Sequence, residues 1–171
     1  MTAPPPDVES RRRAGDAETS ELEYIHASAV VVGEAGMLIK GASGAGKSSL
    51  ALALIATAQN AGSFARLVGD DRIRLENRGG RLIARAHPRI FGQIERRGQG
   101  LLSLPFLASA VLRVVIDLAP AAELGPRYPE QDDDVVVLAG AELPRLRLSQ
   151  DRPASDLAST VLQLFNLLWK S

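Results

Sequence analysis

The sequence predicts an α/β fold built around one phosphate-binding loop, and three observations lead there. Gly41-Ala42-Ser43-Gly44-Ala45-Gly46-Lys47-Ser48 fits the pattern G-x-x-x-x-G-K-[ST]. The apolar run Met37-Leu38-Ile39 reads as a strand leading in, and Ser49 to Ala56, rich in strong helix formers, leads out. Other apolar runs, above all VLRVVIDL at Val111–Leu118, supply buried strands for a sheet. The alternative, a Gly/Ser-rich turn matching by accident, does not account for a strand before and a helix after.

In chain order, Met1 to Ser20 carries Pro4-Pro5-Pro6, Arg11-Arg12-Arg13 and scattered acids, with almost nothing apolar. Such a segment cannot offset its ordering entropy and reads as a disordered tail. Residues 21–171 are expected to form a single domain, because a chain of 171 residues is long enough for one domain with a full core and too short for two good-sized ones. Ala29–Val32 and Met37–Lys40 flank Gly33-Glu34-Ala35-Gly36 as an antiparallel hairpin feeding the loop. A helix over Ser48–Ala58, apolar on most sides, packs on the sheet and stops at Asn60-Ala61-Gly62. Phe64–Val68 is a short strand ending at Gly69-Asp70-Asp71. Arg72–Glu76 and Arg81–Ala84 surround Asn77-Arg78-Gly79-Gly80 as a second hairpin. His87 to Gly100 reads as a polar, glycine-bearing loop, and Val111–Leu118 as a buried strand. Ala119–Asp134 is loop-like, and Val135–Leu138 and Leu143–Leu148 are further strands. The C-terminal helix is expected to be capped at Ser155, with Leu157, Val161, Leu164, Phe165 and Leu168 as its buried stripe.

The loop carries the first chemistry. Backbone N–H groups of Gly41, Ala42, Ser43, Gly44, Ala45 and Gly46 turn inward around a polyphosphate, and the following helix N-terminus adds partial positive charge. Lys47 supplies a point charge for the β- and γ-phosphates, and the Ser48 hydroxyl is placed to ligate Mg²⁺. A phosphate loop alone does not separate a kinase from a GTPase or a nucleotide sensor, so the acids matter. Asp70-Asp71 ends the strand that follows the loop's helix. In a mostly parallel sheet, neighbouring strand ends share a crevice with the loop. One carboxylate there helps hold Mg²⁺ and the other accepts a proton from an attacking hydroxyl; the alternative is a turn with two solvated aspartates. Glu95-Arg96-Arg97-Gly98-Gln99-Gly100 offers a metal ligand, a phosphate clamp and close backbone approach, against the plainer reading of a surface turn. His26 reaches the γ-phosphate if its strand runs beside the loop, and is otherwise structural. Asp132-Asp133-Asp134 cannot face one way in an extended segment and reads as a solvated loop.

Taken together, His26, the loop GASGAGKS, the pair in LVGDD and the run ERRGQGLL from Glu95 to Leu102 resemble the catalytic domain of the HPr kinase/phosphorylase family. Those are bacterial enzymes acting on a seryl residue of the phosphocarrier HPr, and ERRGQGLL resembles their E-x-R-G-x-G-[IL]-[IL] signature. Arg127 is a looser fifth match. The resemblance runs from about Ile25 to Leu168. It implies a P-loop α/β domain related to phosphoenolpyruvate carboxykinase, a mixed sheet with flanking helices. It implies ATP and Mg²⁺ as cofactors, with Gly41 to Ser48 and Arg97 on the nucleotide and Ser48 with Glu95 on the metal. It makes Asp71 the base, Asp70 its support, and sets His26, Lys47 and Arg127 around the transferring phosphoryl group. The implied partner is an HPr-like phosphocarrier, the implied assembly a homo-oligomer, a hexamer in the family. Phosphate-dependent dephosphorylation giving pyrophosphate is the reverse activity. The chain reads as a short form of alphaproteobacterial type without the N-terminal domain. Where the family has a P-x-x-P-G-R-N-like segment tied to the reverse reaction, this chain has Leu148 to Ser155. Two other functions compete: a small-molecule kinase, which usually carries an Arg-rich lid in place of the strand–DD–hairpin order, and a nucleotide-sensing module without turnover.

Bulk properties exclude several classes. Twenty basic and 20 acidic residues leave no net charge, so no global field favours nucleic acid or an anionic membrane. No cysteine is present, which removes disulfides, thiolate metal sites and cysteine nucleophiles. No apolar run reaches the ~18 residues of a spanning helix, and no signal-peptide core is visible, so a soluble cytoplasmic protein is expected.

Overall fold

The computed structural model describes residues 24–124 and 135–169. The tail at 1–20, the loop residue Arg127, the acidic run at 132–134 and the Leu168 side chain lie outside the described residues. The frame is a sheet in the order β3-β1-β2-β8-β10-β9, where β1 is Ser28–Val32, β2 Ala35–Gly41, β3 Ala65–Gly69, β8 Ser109–Ala119, β9 Val135–Leu138 and β10 Ala141–Ser149. A hairpin, β4 (Ile73–Arg78) and β5 (Arg81–Ala86), joins through β5 and the first residues of β8. Helices α1 (Lys47–Asn60) and α2 (Ala154–Trp169) pack on each other.

The alternation of side chains along the central strands builds two cores. Val30, Val32, Met37, Ile39, Val114 and Ile116 point to α1 and α2. Ala29, Val31, Leu38, Leu112 and Val115 point to the opposite side, where Ile73, Leu82 and Ala84 of the β4–β5 hairpin cover them. Both faces of β8 are therefore buried, which is why its sequence is almost continuously apolar. Leu112 and Val114 fall on opposite faces because the β2–β8 register shifts between Gly36 and Met37. Helix α1 buries Lys47, Leu50, Ala51, Leu54, Ile55 and Ala58, the 3–4 spacing of one helix face.

Three expectations change. The sheet is mixed, as the resemblance implied, and not mostly parallel: β2 runs parallel to β8 and β8 to β10, but β1 is antiparallel to both β2 and β3. The stretch after His87 is not simply a loop; a 3-10 turn at Pro88–Ile90 leads to a hairpin of β6 (Gln93–Arg96) and β7 (Gly100–Ser103). Ser155 does not cap α2. The Pro153 carbonyl already accepts from the Asp156 and Leu157 amides, at 3.0 Å each, so the helix has begun before Ser155.

Candidate phosphate-binding and catalytic site

The topology decides which chain ends meet. Because β1 is antiparallel to its two neighbours, the C-terminal ends of β2 and β3 and the start of β1 share one edge of the sheet. The phosphate loop leaves β2 there, Asp70-Asp71 leave β3, and His26 and Ser28 enter β1. The β6–β7 hairpin approaches the same edge through Glu95. His26, Ser43, Gly44, Lys47, Ser48, Asp70, Asp71, Glu95 and Arg97 line one cleft of about 330 Å³. A larger cleft, about 710 Å³, lies between the β1–β2 turn and the C-terminal parts of α1 and α2, and none of the candidate residues lines it.

Two glycines shape the loop. Gly46 precedes α1 at φ 92°, a left-handed conformation that a residue with a Cβ adopts at a cost. At Gly41 a Cβ would meet the Leu118 carbonyl oxygen at 2.8 Å, so its bare Cα lets β2 close on β8. Lys47 folds back over the loop, donating to the carbonyls of Gly41 at 3.0 Å and Ala42 at 2.8 Å. It is 6% exposed. Burial lowers its pKa, against the smaller opposing pull of Asp71 and then Asp70.

The adjacent aspartates diverge. Asp70 is 4% exposed and accepts from Ser28 Oγ on Oδ1. Ser48 Oγ lies 3.1 Å from Oδ1 and 2.9 Å from Oδ2, and the Glu95 amide donates to Oδ2 at 3.4 Å. Asp71 sits at φ 67° in a three-residue turn closed by the Arg72 amide on the Asp70 carbonyl at 2.8 Å. Such a γ-turn is rare and strained for a non-glycine residue. It swings Asp71 outward to His26, whose Nδ1 is 3.0 Å from Oδ1. One carboxylate is thus enclosed among donors, and its neighbour, 59% exposed, is open to an incoming group.

Arg97 reaches the loop: a Cβ on Gly44 would stand 3.4 Å from Arg97 Nη2. Glu95 lines the cleft with an exposed side chain. Among the described residues no group of three or more His, Cys, Asp or Glu gathers as a metal cage. The donors that are present fit a Mg²⁺ that keeps waters and phosphate oxygens as most of its ligands: the Ser48 hydroxyl, with carboxylates beside it. The sequence reading missed Ser28. Its one signal was a hydroxyl inside the otherwise apolar run Ala27–Val32, two residues after His26.

The fold and the site define the class: a P-loop α/β domain with a carboxylate pair beside the loop. A family model described as HPr Serine kinase C-terminal domain matches residues 17–113, more than half of the chain. The chain belongs to that family. An HPr kinase/phosphorylase of Mycoplasma mycoides is 37% identical over 112 residues, which cover 64% of this chain and 33% of that protein. One of Clostridium perfringens is 40% identical over 83 residues, covering 48% of this chain and 25% of that protein. The matched region therefore spans a third or less of the length of these relatives. The solved Hpr(Ser) kinase/phosphatase from Coxiella burnetii shares the fold, with a TM-score of 0.69 at 23% identity, covering 87% of this chain and 99% of that one. Among the described residues no helix is long and apolar enough to cross a membrane.

Proposed function

We propose that the chain is an ATP- and Mg²⁺-dependent protein-serine kinase acting on a seryl residue of an HPr-like phosphocarrier. One observation carries this: the enclosed Asp70, hydrogen-bonded to Ser48, beside the open Asp71 paired with His26. In that reading the loop from Gly41 to Ser48 and Arg97 bind the nucleotide phosphates, while Ser48 and Glu95 hold the metal ion. Bound Mg²⁺ neutralises charge on the β- and γ-phosphates. Asp71 takes the proton of the seryl hydroxyl, held in line by His26. The seryl oxygen bonds to the γ-phosphorus as the bond to the β–γ bridging oxygen breaks, and ADP leaves. Lys47 moves from the loop carbonyls to the transferring group, and Arg127 belongs to the same set. In phosphorolysis an oxygen of inorganic phosphate takes the place of the ADP oxygen: it bonds to the phosphorus of the phosphoseryl group as the bond to the seryl oxygen breaks, Asp71 returns the proton to that oxygen, and pyrophosphate leaves. Assembly as a homo-oligomer is part of the proposal and is read directly by sedimentation.

The test is transfer from labelled ATP, with Mg²⁺, to HPr-type carriers of the source organism. Phosphate appears on a seryl residue with wild type. Asp71→Asn lowers the rate by about 10³-fold or more while nucleotide affinity stays within about twofold, since the base is lost and the cradle kept. A protein that labels no carrier overturns the kinase reading.

A further inference from the structure

Of the groups that hold Asp70, Ser48 belongs to the phosphate loop and Glu95 to the signature run. Ser28 belongs to neither. It is fully buried at the first residue of β1, in a stretch otherwise apolar from Ala27 to Val32, and its hydroxyl donates to Asp70 Oδ1. The β1–β3 ladder is irregular at the same place. Ala29 faces Gly69 while Val30 faces Leu67, so Val68 is passed over. An irregularity of this kind bends the strand and re-aims the side chains that follow it. Here the strand end carries Asp70 towards β1 and the loop.

We propose that Ser28 is a positioning residue for the metal side of the site. The inference rests on the nucleotide-binding reading above. A hydroxyl has one donor hydrogen and two acceptor lone pairs. Ser48 spends its hydrogen on Asp70, which leaves its lone pairs free for a phosphate-bound divalent cation. That orientation lasts only while the carboxylate stays put. Ser28 holds Oδ1 from the β1 side, opposing rotation of Asp70 away from Ser48. Asp71 and His26 make a separate pair, so Ser28 acts on cation binding and not on the proton-transfer side.

The experiment titrates Mg²⁺ into protein with a fluorescent ATP analogue, for wild type and Ser28→Ala. The Mg²⁺ concentration needed for half-maximal enhancement of nucleotide binding rises about tenfold in Ser28→Ala, while affinity in EDTA stays within about twofold of wild type. Ser28→Thr, which keeps the hydroxyl, returns the requirement towards wild type. In an Asp70→Asn background Ser28→Ala adds nothing, because the two act in series. An unchanged Mg²⁺ requirement in Ser28→Ala overturns the proposal, as does an equal loss with and without Mg²⁺, the mark of a merely structural role. If Ser28→Ala does not fold, Ser28→Cys, a weaker donor of similar shape, must give a raised requirement, and a wild-type value there overturns the proposal equally. Wild type that binds no nucleotide removes this inference together with its premise. Nucleotide binding without phosphoryl transfer removes only the kinase reading.

Discussion

Lys47 shows at the scale of one residue how the role proposed for it and stability oppose each other. Its ammonium is buried against two loop carbonyls, and burial lowers its pKa below the ordinary 10.5. Between the lowered folded value and 10.5 the unfolded chain binds more protons, so stability rises with pH across that window. Below the window, neutral pH included, the cost is present in full. Lys47→Met therefore leaves the thermal midpoint at pH 7 unchanged or higher, and its advantage over wild type shrinks as pH approaches 10. The same variant loses the nucleotide-induced rise in midpoint. Thermal unfolding at both pH values, with and without nucleotide, checks this, and a pH-independent drop in midpoint would contradict it.

At the scale of elements, the β6–β7 hairpin is anchored in the helix-side core by Ile94, with Leu102 of β7 partly buried against the same core. Ile94 is fully buried in the helix-side core, while Glu95 next to it faces the cleft. Ile94→Ala should cost about 2–4 kcal/mol by leaving a cavity, and should weaken nucleotide binding by loosening Glu95 and Arg97; denaturant unfolding and a binding titration read the two effects. The β4–β5 hairpin has a different dependence. Arg74 stands opposite Arg85 and Arg78 opposite Arg81, like charges that oppose pairing. Glu76 gathers Arg78 at 2.6 Å, Arg85 at 3.1 Å and Arg74 at 3.6 Å. Hydrogen bonds from Arg78, then Arg85, lower the Glu76 pKa, so its contribution is present above about pH 4.5 and fades as pH falls through the lowered value. Glu76→Gln should lower the thermal midpoint slightly at pH 7, and by less as the pH falls below 4.5, by calorimetry. These elements also mark what was legible in the sequence. The loop, its flanking strand and helix, the first two hairpins and VLRVVIDL were readable because their signals are local. The β6 strand was not, since its one buried residue is too few to show an alternation. Ser28 and the outward turn of Asp71 were not readable either, because both depend on which strands lie beside one another.

At the scale of the molecule, the central strand β8 organises the fold. It pairs in parallel with β2 on one side and β10 on the other, and both cores pack against it. The phosphate loop emerges from β2 exactly where Gly41 meets Leu118, so its first residue is seated by a strand far along the chain. The sequence motif marks the loop but says nothing of that support.

The pairing of Gly41 with Leu118 also sets a timetable for synthesis. A ribosome delivers the whole phosphate loop, His26, the aspartates and Glu95 before it delivers the part of β8 that lies beside Met37–Gly41, namely Val114–Leu118. Until then β2 offers an unpaired edge, the kind that invites aggregation. A chain stopped after residue 113, where the family match ends, would carry every one of those residues and still lack the seat. Released from the ribosome, it should bind no nucleotide and sediment as aggregate, whereas a chain extended through β10 and α2 should gain binding and solubility together.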